Sequence, residues 1–272
     1  MAKKTFGTLM SAEDALDCIL TKLRPVVGTD TVAVQDADGR VLGEDLKSTI
    51  NVPAFDRAAM DGYAVRSADL AEPAMLRIVG SAAAGKGFKG TIKAGECIEI
   101  ATGAPMPKGA DAVVMVESAQ LVGNAVSVRI PVHPWDHVGR RAQDIGKGEI
   151  VLRRGTIMGP GQIAAAAVIG KARIKVMRRP KVLIFTTGDE VVAPGKALKA
   201  SQVYDCNSYA MLTIARRHGA DVTYRPNMPD TLPALKKVIG EAAKKFDMVV
   251  FSGGTSVGQR DFAAEAVDSL GK

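Results

Sequence analysis

Aromatic side chains make up only 4% of the 272 residues: one Trp, four Tyr and seven Phe, spread singly. A surface that stacks the bases of single-stranded nucleic acid needs more rings than this, so nucleic acid is not an expected partner despite a net charge of +7. Cysteine is equally scarce. Cys18, Cys97 and Cys206 are odd in number, far apart and in no C-x-x-C spacing, which excludes a disulfide framework and a thiolate metal knuckle and points to a reducing compartment. Three histidines leave little for imidazole chemistry. His133 and His137 are four apart but Pro134 lies between them, so a loop pair is expected rather than a metal pair on one helix face. His218 falls at an expected helix end, and no Ser-His-Asp or Cys-His set is legible. The longest apolar run, IAAAAVI at 163–169, is far too short to span a bilayer, and the lysines of the MAKK start are followed by no apolar stretch. The expectation is a cytoplasmic chain without a membrane partner.

What is present suits a folded chain of two or three domains: 47% hydrophobic and 24% charged residues. The excess of cations, 36 against 29 acids, favours an anionic partner such as a phosphorylated metabolite or an oxyanion. From Ser11, apolar residues at three-and-four spacing predict an amphipathic helix, with Ser11 and Asp14 as a capping pair and Pro25 as a stop. Residues from Val52 to about Gly148 are punctuated by Gly and Pro and predict a small β-rich domain. Pro160 and Gly170 bracket a second helix. Lys171, Arg173 and Lys175 then alternate with apolar residues, the pattern of a strand with one solvated face. From Pro180 the chain alternates apolar strands (VLIF, DVTYR, MVVF) with helical segments, the signature of a parallel sheet with crossover helices. Ligands of such sheets sit outside the carboxyl ends of the strands, where loops and helix N-termini present free N–H groups.

Two loops occupy those ends. In SGGTSVG, Ser252 to Gly258, glycines admit an anion close to the backbone and hydroxyls add donors; a phosphate cradle and a plain tight turn fit the spacing equally. In TTGDE, Asp189 and Glu190 have the hard oxygens that Mg²⁺ prefers, or are capping and solvated loop charges. Asn207, after Asp205, is expected to cap the helix that follows. In the β-rich region, Asp56, Asp61 and the Thr102-Gly103 bend read unaided as turn residues.

Taken together these segments resemble the molybdopterin molybdenumtransferase family, the bacterial MoeA type and the E domain of gephyrin. The resemblance runs in order through VPAFDRAAMDGYAV, IATGAPMPKGADAVVMVE, DIGKGEIVLRRGTIMGPGQI, RRPKVLIFTTGDEVVAPG, YDCNSYAML and FSGGTSVGQRD. It implies a mixed α/β and β multidomain fold: an elongated linker domain over 1–48 and 145–177, a β-rich insertion over 49–144, and an incomplete α/β molybdopterin-binding domain over 178–272. It implies insertion of molybdate into adenylylated molybdopterin with release of AMP, assisted by Mg²⁺, or, as an alternative, a non-catalytic molybdopterin-binding or scaffolding relative. Carried over by motif, Asp61, Thr102, Glu190 and Asp261 become catalytic, with Glu190 and Asp261 also holding the metal. Gly188, Asp189, Asp205, Asn207, Ser252, Gly253, Gly254, Ser256 and Gly258 become substrate-binding. The implied partners are a second copy of the chain, so that Asp61 and Thr102 act across a subunit interface, and a molybdopterin adenylyltransferase. Three departures are legible. Asn227 and Met228 stand where the family has an acidic pair, Ala142-Gln143-Asp144 where it has Gly-Glu-Asp, and the sequence stops at Lys272, before the P-G-K-P segment and C-terminal barrel. The expectation is either a piece of a longer protein or a reduced relative, with an open sheet edge prone to associate.

Overall fold

The computed structural model describes residues 10–253 and 262–271. The chain forms two compact units: one contains the residues up to Thr31, Gly39–Val41 and the chain from Lys175 onward, the other Val32–Asp38 and Leu42–Ile174.

In the first unit, α1 (Ala12–Lys22) begins where the capping pair predicts: the Ser11 hydroxyl accepts the Asp14 N–H and donates to its carboxylate at 2.7 Å. No residue of α1 is buried. In the second unit, α2 (Pro160–Val168) starts at its proline and is followed by Gly170 at φ +79°.

The β-rich region is a six-stranded mixed sheet made of β1 (Gly62–Val65), β2 (Ala74–Ala82), β3 (Glu96–Ile100), β4 (Ala112–Met115), β5 (Ala119–Val122) and β6 (Ala125–Val128). Their order is β4-β1-β3-β2-β6-β5, with β2 and β3 parallel and the other pairs antiparallel. Both faces are covered, and the period of two decides which residue goes where. Tyr63, Val65, Cys97, Ala112 and Val114 enter one core; Ala64, Ile98, Ile100 and Val113 enter the other. Burial pushes the Cys97 thiol up to about 12, with Glu99 adding to it, so this cysteine packs as a small hydrophobe.

The α/β region has three parallel strands, β7 (Lys181–Thr187), β8 (Asp221–Met228) and β9 (Met248–Ser252), in the order β8-β7-β9 among the described residues. Its helices are α3 (Asn207–Arg217), α4 (Leu232–Ala242) and α5 (Phe262–Ser269). The central strand is covered on both sides, which is why VLIF reads as a continuous apolar run. Leu183 and Phe185 pack with Leu235, Val238 and Ala266 of α4 and α5. Val182 and Ile184 pack towards Met211, Leu212 and Ala215 of α3. Phe185 stacks on the partly buried Phe251 of β9, with centroids 5.0 Å apart; a fully buried ring such as Phe185, or a fully buried Leu side chain, contributes about 1.5–3 kcal/mol. No described helix is long and apolar enough to cross a membrane.

Two positions put backbone limits on the sequence. A Cβ on Gly62 would overlap the Val114 carbonyl of β4, so the glycine after Asp61 permits the close β1–β4 approach. Ala142 sits at φ +62°, the left-handed region that glycine favours. It is clamped there: its own N–H donates to Pro53 O, the Arg141 N–H to Asp56 Oδ1 at 2.7 Å, and the Asp144 N–H to Val52 O.

These two sites predict opposite outcomes in thermal or urea unfolding. Ala142→Gly relieves the left-handed Cβ cost while giving back some chain entropy, and stabilises by about 0.5–1 kcal/mol. Gly62→Ala forces β1 and β4 apart and destabilises by about 2 kcal/mol or more. An unchanged midpoint in Ala142→Gly would show that the turn carries no strain.

Candidate functional site

The carboxyl end of the parallel sheet is built from the ends of β7 and β9 and the start of α3. Thr186 is in register with Ser252. β7 leads into Gly188 at φ +125°, and a Cβ there would lie 2.8 Å from a Glu190 carboxylate oxygen, so this side chain folds back over a bare backbone. β9 leads into Gly253 at φ +112°, where a Cβ would run into the Thr187 hydroxyl. Gly253 therefore lets the end of β9 approach the end of β7 closely, and Gly188 makes room for the Glu190 carboxylate. Asp189 and Glu190 are exposed at this rim. Asn207 Nδ2 donates to Ser252 Oγ at 3.0 Å, tying the first residue of α3 to the end of β9. Below them is a hollow of about 380 Å³ with an amide and hydroxyl edge from Asn207 and Ser252 and an apolar wall from Ala210, Met211, Ile214 and Phe251.

Asp205 holds this arrangement in place. It is 2% exposed. Its Oδ1 accepts the Ser208 N–H of α3 at 2.9 Å; its Oδ2 accepts the Thr186 hydroxyl of β7 at 3.1 Å and the Tyr224 hydroxyl of β8 at 2.9 Å. Burial is the largest single influence and pushes its carboxyl up, but the hydrogen bonds together outweigh it and hold the group below the ordinary carboxylate value. Burial first, and then the same contact, push the Tyr224 hydroxyl well above its usual range. The expectation that Asn207 caps α3 is corrected: Asp205 satisfies the helix N–H, because it lies two residues further back and points inward, which frees the Asn207 amide for Ser252. α3 has no acid in its first turn, so the positive end of its dipole is left to Asp205 and to whatever occupies the hollow.

Sequence reasoning missed the three residues that surround Asp205, namely Thr186, Ser208 and Tyr224, and also Thr187. Nothing in their spacing marks them. Thr187 Oγ1 and Ser208 Oγ are buried and make no hydrogen bond among the described residues. Gly254, Ser256, Gly258 and Asp261 lie outside the described residues. Among the described ones no group of three or more His, Cys, Asp or Glu could hold a metal ion.

The second unit places its own pair. Asp61 precedes β1 and Thr102 follows β3; the antiparallel pairing of Gly62 with Ile100 brings them together. Asp61 Oδ1 accepts both the Thr102 amide at 2.6 Å and the Thr102 hydroxyl at 2.7 Å. These bonds, the backbone one first, hold the Asp61 carboxyl below its ordinary value although it is exposed. Thr102 also lines a cavity of about 310 Å³ with Arg57, Gly103, Gly139, Gln143 and Asp144. The turn reading holds for Thr102 and Gly103, with Gly103 at φ +80°, and the structure adds the pairing of this turn with the Asp61 bend and the cavity beside it. His133 and His137 lie in a loop, with His137 at φ +53°.

The departures have structural counterparts. Met228 ends β8 opposite Thr187 and packs into the apolar cluster with Leu235 and Phe185, so an apolar contact stands where the resemblance leads one to expect a carboxylate. Gln143 accepts the Arg140 N–H at 2.9 Å and closes its own turn.

Two family models match the chain: the MoeA N-terminal region, domains I and II, over residues 10–170, and a probable molybdopterin binding domain over 183–272. A molybdopterin molybdenumtransferase of Haemophilus influenzae is 34% identical over 97% of this chain and 66% of its own length. One from Nostoc is 35% identical over 93% of this chain and 59% of its own. A crystal structure of the molybdopterin biosynthesis MoeA protein from Pyrococcus horikoshii superposes with a TM-score of 0.86 at 32% identity, covering 90% of this chain and 67% of that one. The chain thus spans roughly three-fifths to two-thirds of the curated relatives it matches.

Asp205→Asn should lower stability by about 1–3 kcal/mol, because an amide nitrogen then faces two hydroxyl donors in a buried place. Its pH signature follows from the depressed carboxyl. The unfolded chain takes up the proton first as pH falls, so Asp205 stabilises fully above its ordinary value of 3.8 and loses that contribution below it. Urea unfolding across this acid range should show a shallower loss of stability in Asp205→Asn than in the parent chain; parallel profiles would exclude this role.

Proposed function

The chain belongs to the molybdopterin molybdenumtransferase family, and from that premise we propose that it acts in molybdenum cofactor biosynthesis, inserting molybdate into adenylylated molybdopterin with release of AMP. The observation that carries the proposal is the close approach of Gly253 to Thr187, the residue before Gly188, at neighbouring strand ends beside the start of α3, with the Glu190 carboxylate folded over Gly188. In this reading the hollow takes the flat pterin, its apolar wall against the ring and Asn207 and Ser252 on the polar edge. The bare backbone at the two glycines and the N-terminus of α3 hold the pyrophosphate.

Asp189 and Glu190 offer the exposed hard-oxygen donors that Mg²⁺ accepts, and such an ion usually needs only one or two carboxylates because it keeps several waters. When bound, it would neutralise charge on the pyrophosphate; Glu190, with Asp261, is assigned to hold it. Gly254, Ser256 and Gly258 are assigned to the same phosphate rim. Asp61 is the ionised carboxylate of the second half-site. Thr102 occupies one of its oxygens and fixes its direction, leaving Oδ2 as the atom that takes up a proton. A homodimer in which Asp61 and Thr102 serve the partner's pterin site belongs to the same proposal. So do a molybdopterin adenylyltransferase as supplier, a cytoplasmic location, and the division into a linker domain (1–48, 145–177), a β-rich insertion (49–144) and a pterin domain (178–272). A second reading, a molybdopterin binder without turnover, is favoured by one observation: Met228 packs into the core where a carboxylate is expected.

The test is AMP release from adenylylated molybdopterin with molybdate and Mg²⁺. Turnover that falls by about a hundredfold or more in Glu190→Ala and in Asp61→Asn supports catalysis by these carboxylates. Tight pterin binding without AMP in the parent chain supports the binder.

A further inference from the structure

The opposite, amino-terminal end of the parallel sheet holds a cavity of about 660 Å³, in the range of a small-molecule site. Its lining comes from the entrances of β7 and β8 and the exit of α3: Arg178, Arg179, Lys181, Arg216, Asp221 and Asp30, with Ala220 and Val222 as its apolar floor. Four cations against two acids is an unusual wall, and the way they are paired narrows what it can hold.

Arg178 is fully committed. Its guanidinium forks onto Asp247 at 2.6 and 2.7 Å and also donates to the carbonyls of Val27 and Arg179. Asp30 is neutralised by Arg40 at 2.8 Å. Lys181 donates its backbone N–H to Asp247, helps to keep that carboxylate ionised, and lies in register with Asp221. These contacts do not occupy the Lys181 ammonium, which is a single point donor; the forked donors left over in the wall are the guanidiniums of Arg179 and Arg216. Both are exposed, and neither side chain makes a hydrogen bond or ion pair among the described residues. The bland account of Arg216 is that it complements the negative end of the α3 dipole, but Arg217 stands in the same last turn, outside the cavity, and serves that purpose.

We propose that this cavity binds a phosphate-type dianion, gripped by the guanidiniums of Arg179 and Arg216 and steered by the rest of the basic wall. Two forks match two faces of a tetrahedral oxyanion, and arginine is the residue whose planar donors do this bidentately. The lining has no aromatic ring, so recognition rests on the anion and not on a stacked base. Phosphate chemistry reaches the cavity either as a free inorganic oxyanion or as the phosphoryl group of a nucleotide such as the AMP that the proposed reaction releases. The site is separate from the pterin hollow and stands or falls without it.

The experiment is calorimetric titration of the purified chain with inorganic phosphate and, separately, with AMP, at low and at matched higher ionic strength. Expected is saturable binding that weakens as salt rises and that drops by about tenfold or more in Arg179→Gln/Arg216→Gln. It should persist in Ser252→Ala at the other end of the sheet. AMP bound more tightly than phosphate assigns the anion to a nucleotide, and equal affinity to a free oxyanion; either supports the site. Both arginines are exposed, so circular dichroism should show both variants folded. Absence of saturable binding, equal affinity in the double variant, or a loss that follows Ser252→Ala instead overturns the proposal.

Discussion

Asp205 is the group on which the architecture at the carboxyl end of the parallel sheet depends. One buried carboxylate joins the central strand through Thr186, the edge strand through Tyr224 and the helix between them through Ser208. An ionised group at 2% exposure is tolerable only because its acceptors are met by well-directed donors. The consequence is geometric. With the start of α3 fixed to β7 and β8 from below, the Asn207 amide is left to reach across to Ser252, and the hollow acquires its polar edge. A surface acid at the same point would cap the helix as well but would not set its height above the sheet.

The two ends of that sheet are polarised in opposite senses by elementary rules. At the carboxyl ends, strands finish in glycines with free donors and a rim of acids, which suits an anion brought with a divalent cation. At the amino ends, the chain enters through Arg178, Arg179 and Lys181, and the cations dominate directly. Arg178 there is a brace more than a ligand. It ties the entry of β7 to the entry of β9 through Asp247, whose carboxyl it holds far below the usual range.

Much of this was legible in the residues. VLIF, DVTYR and MVVF announce three buried parallel strands because a strand covered on both faces has no polar period to show. Ser11 with Asp14 and Pro160 with Gly170 mark helix limits through hydrogen-bond supply and φ alone. The chemistry was less legible, for a physical reason: the pairs that build the sites are distant in sequence. Asp61 meets Thr102 only through the β1–β3 register, and Asp205 meets Tyr224 only across the parallel sheet. Asn207 misled because a local rule, a polar residue before a helical run, competes with an inward-pointing Asp205 that satisfies the same N–H from deeper in the fold. Arg179 and Arg216 carry no motif at all, since their common cavity exists only once α3 has returned to the entrance of β8.

The departures from the family pattern show which constraints survive a change of residue. At position 142 the backbone keeps φ at +62° with alanine, held by bonds from Pro53, Asp56 and Val52. The turn is therefore dictated by its surroundings, with the side chain accepting a cost of about 1–2 kcal/mol. Gln143 replaces a charge but still closes the turn onto Arg140. Met228 differs in kind: after a register shift it pairs opposite Thr187 at the end of β8, and its side chain adds to the core. The first two positions preserve a shape near the Thr102 cavity, while the third exchanges polarity for packing at the carboxyl end of the sheet, where the acidic rim then rests on the loop that follows β7.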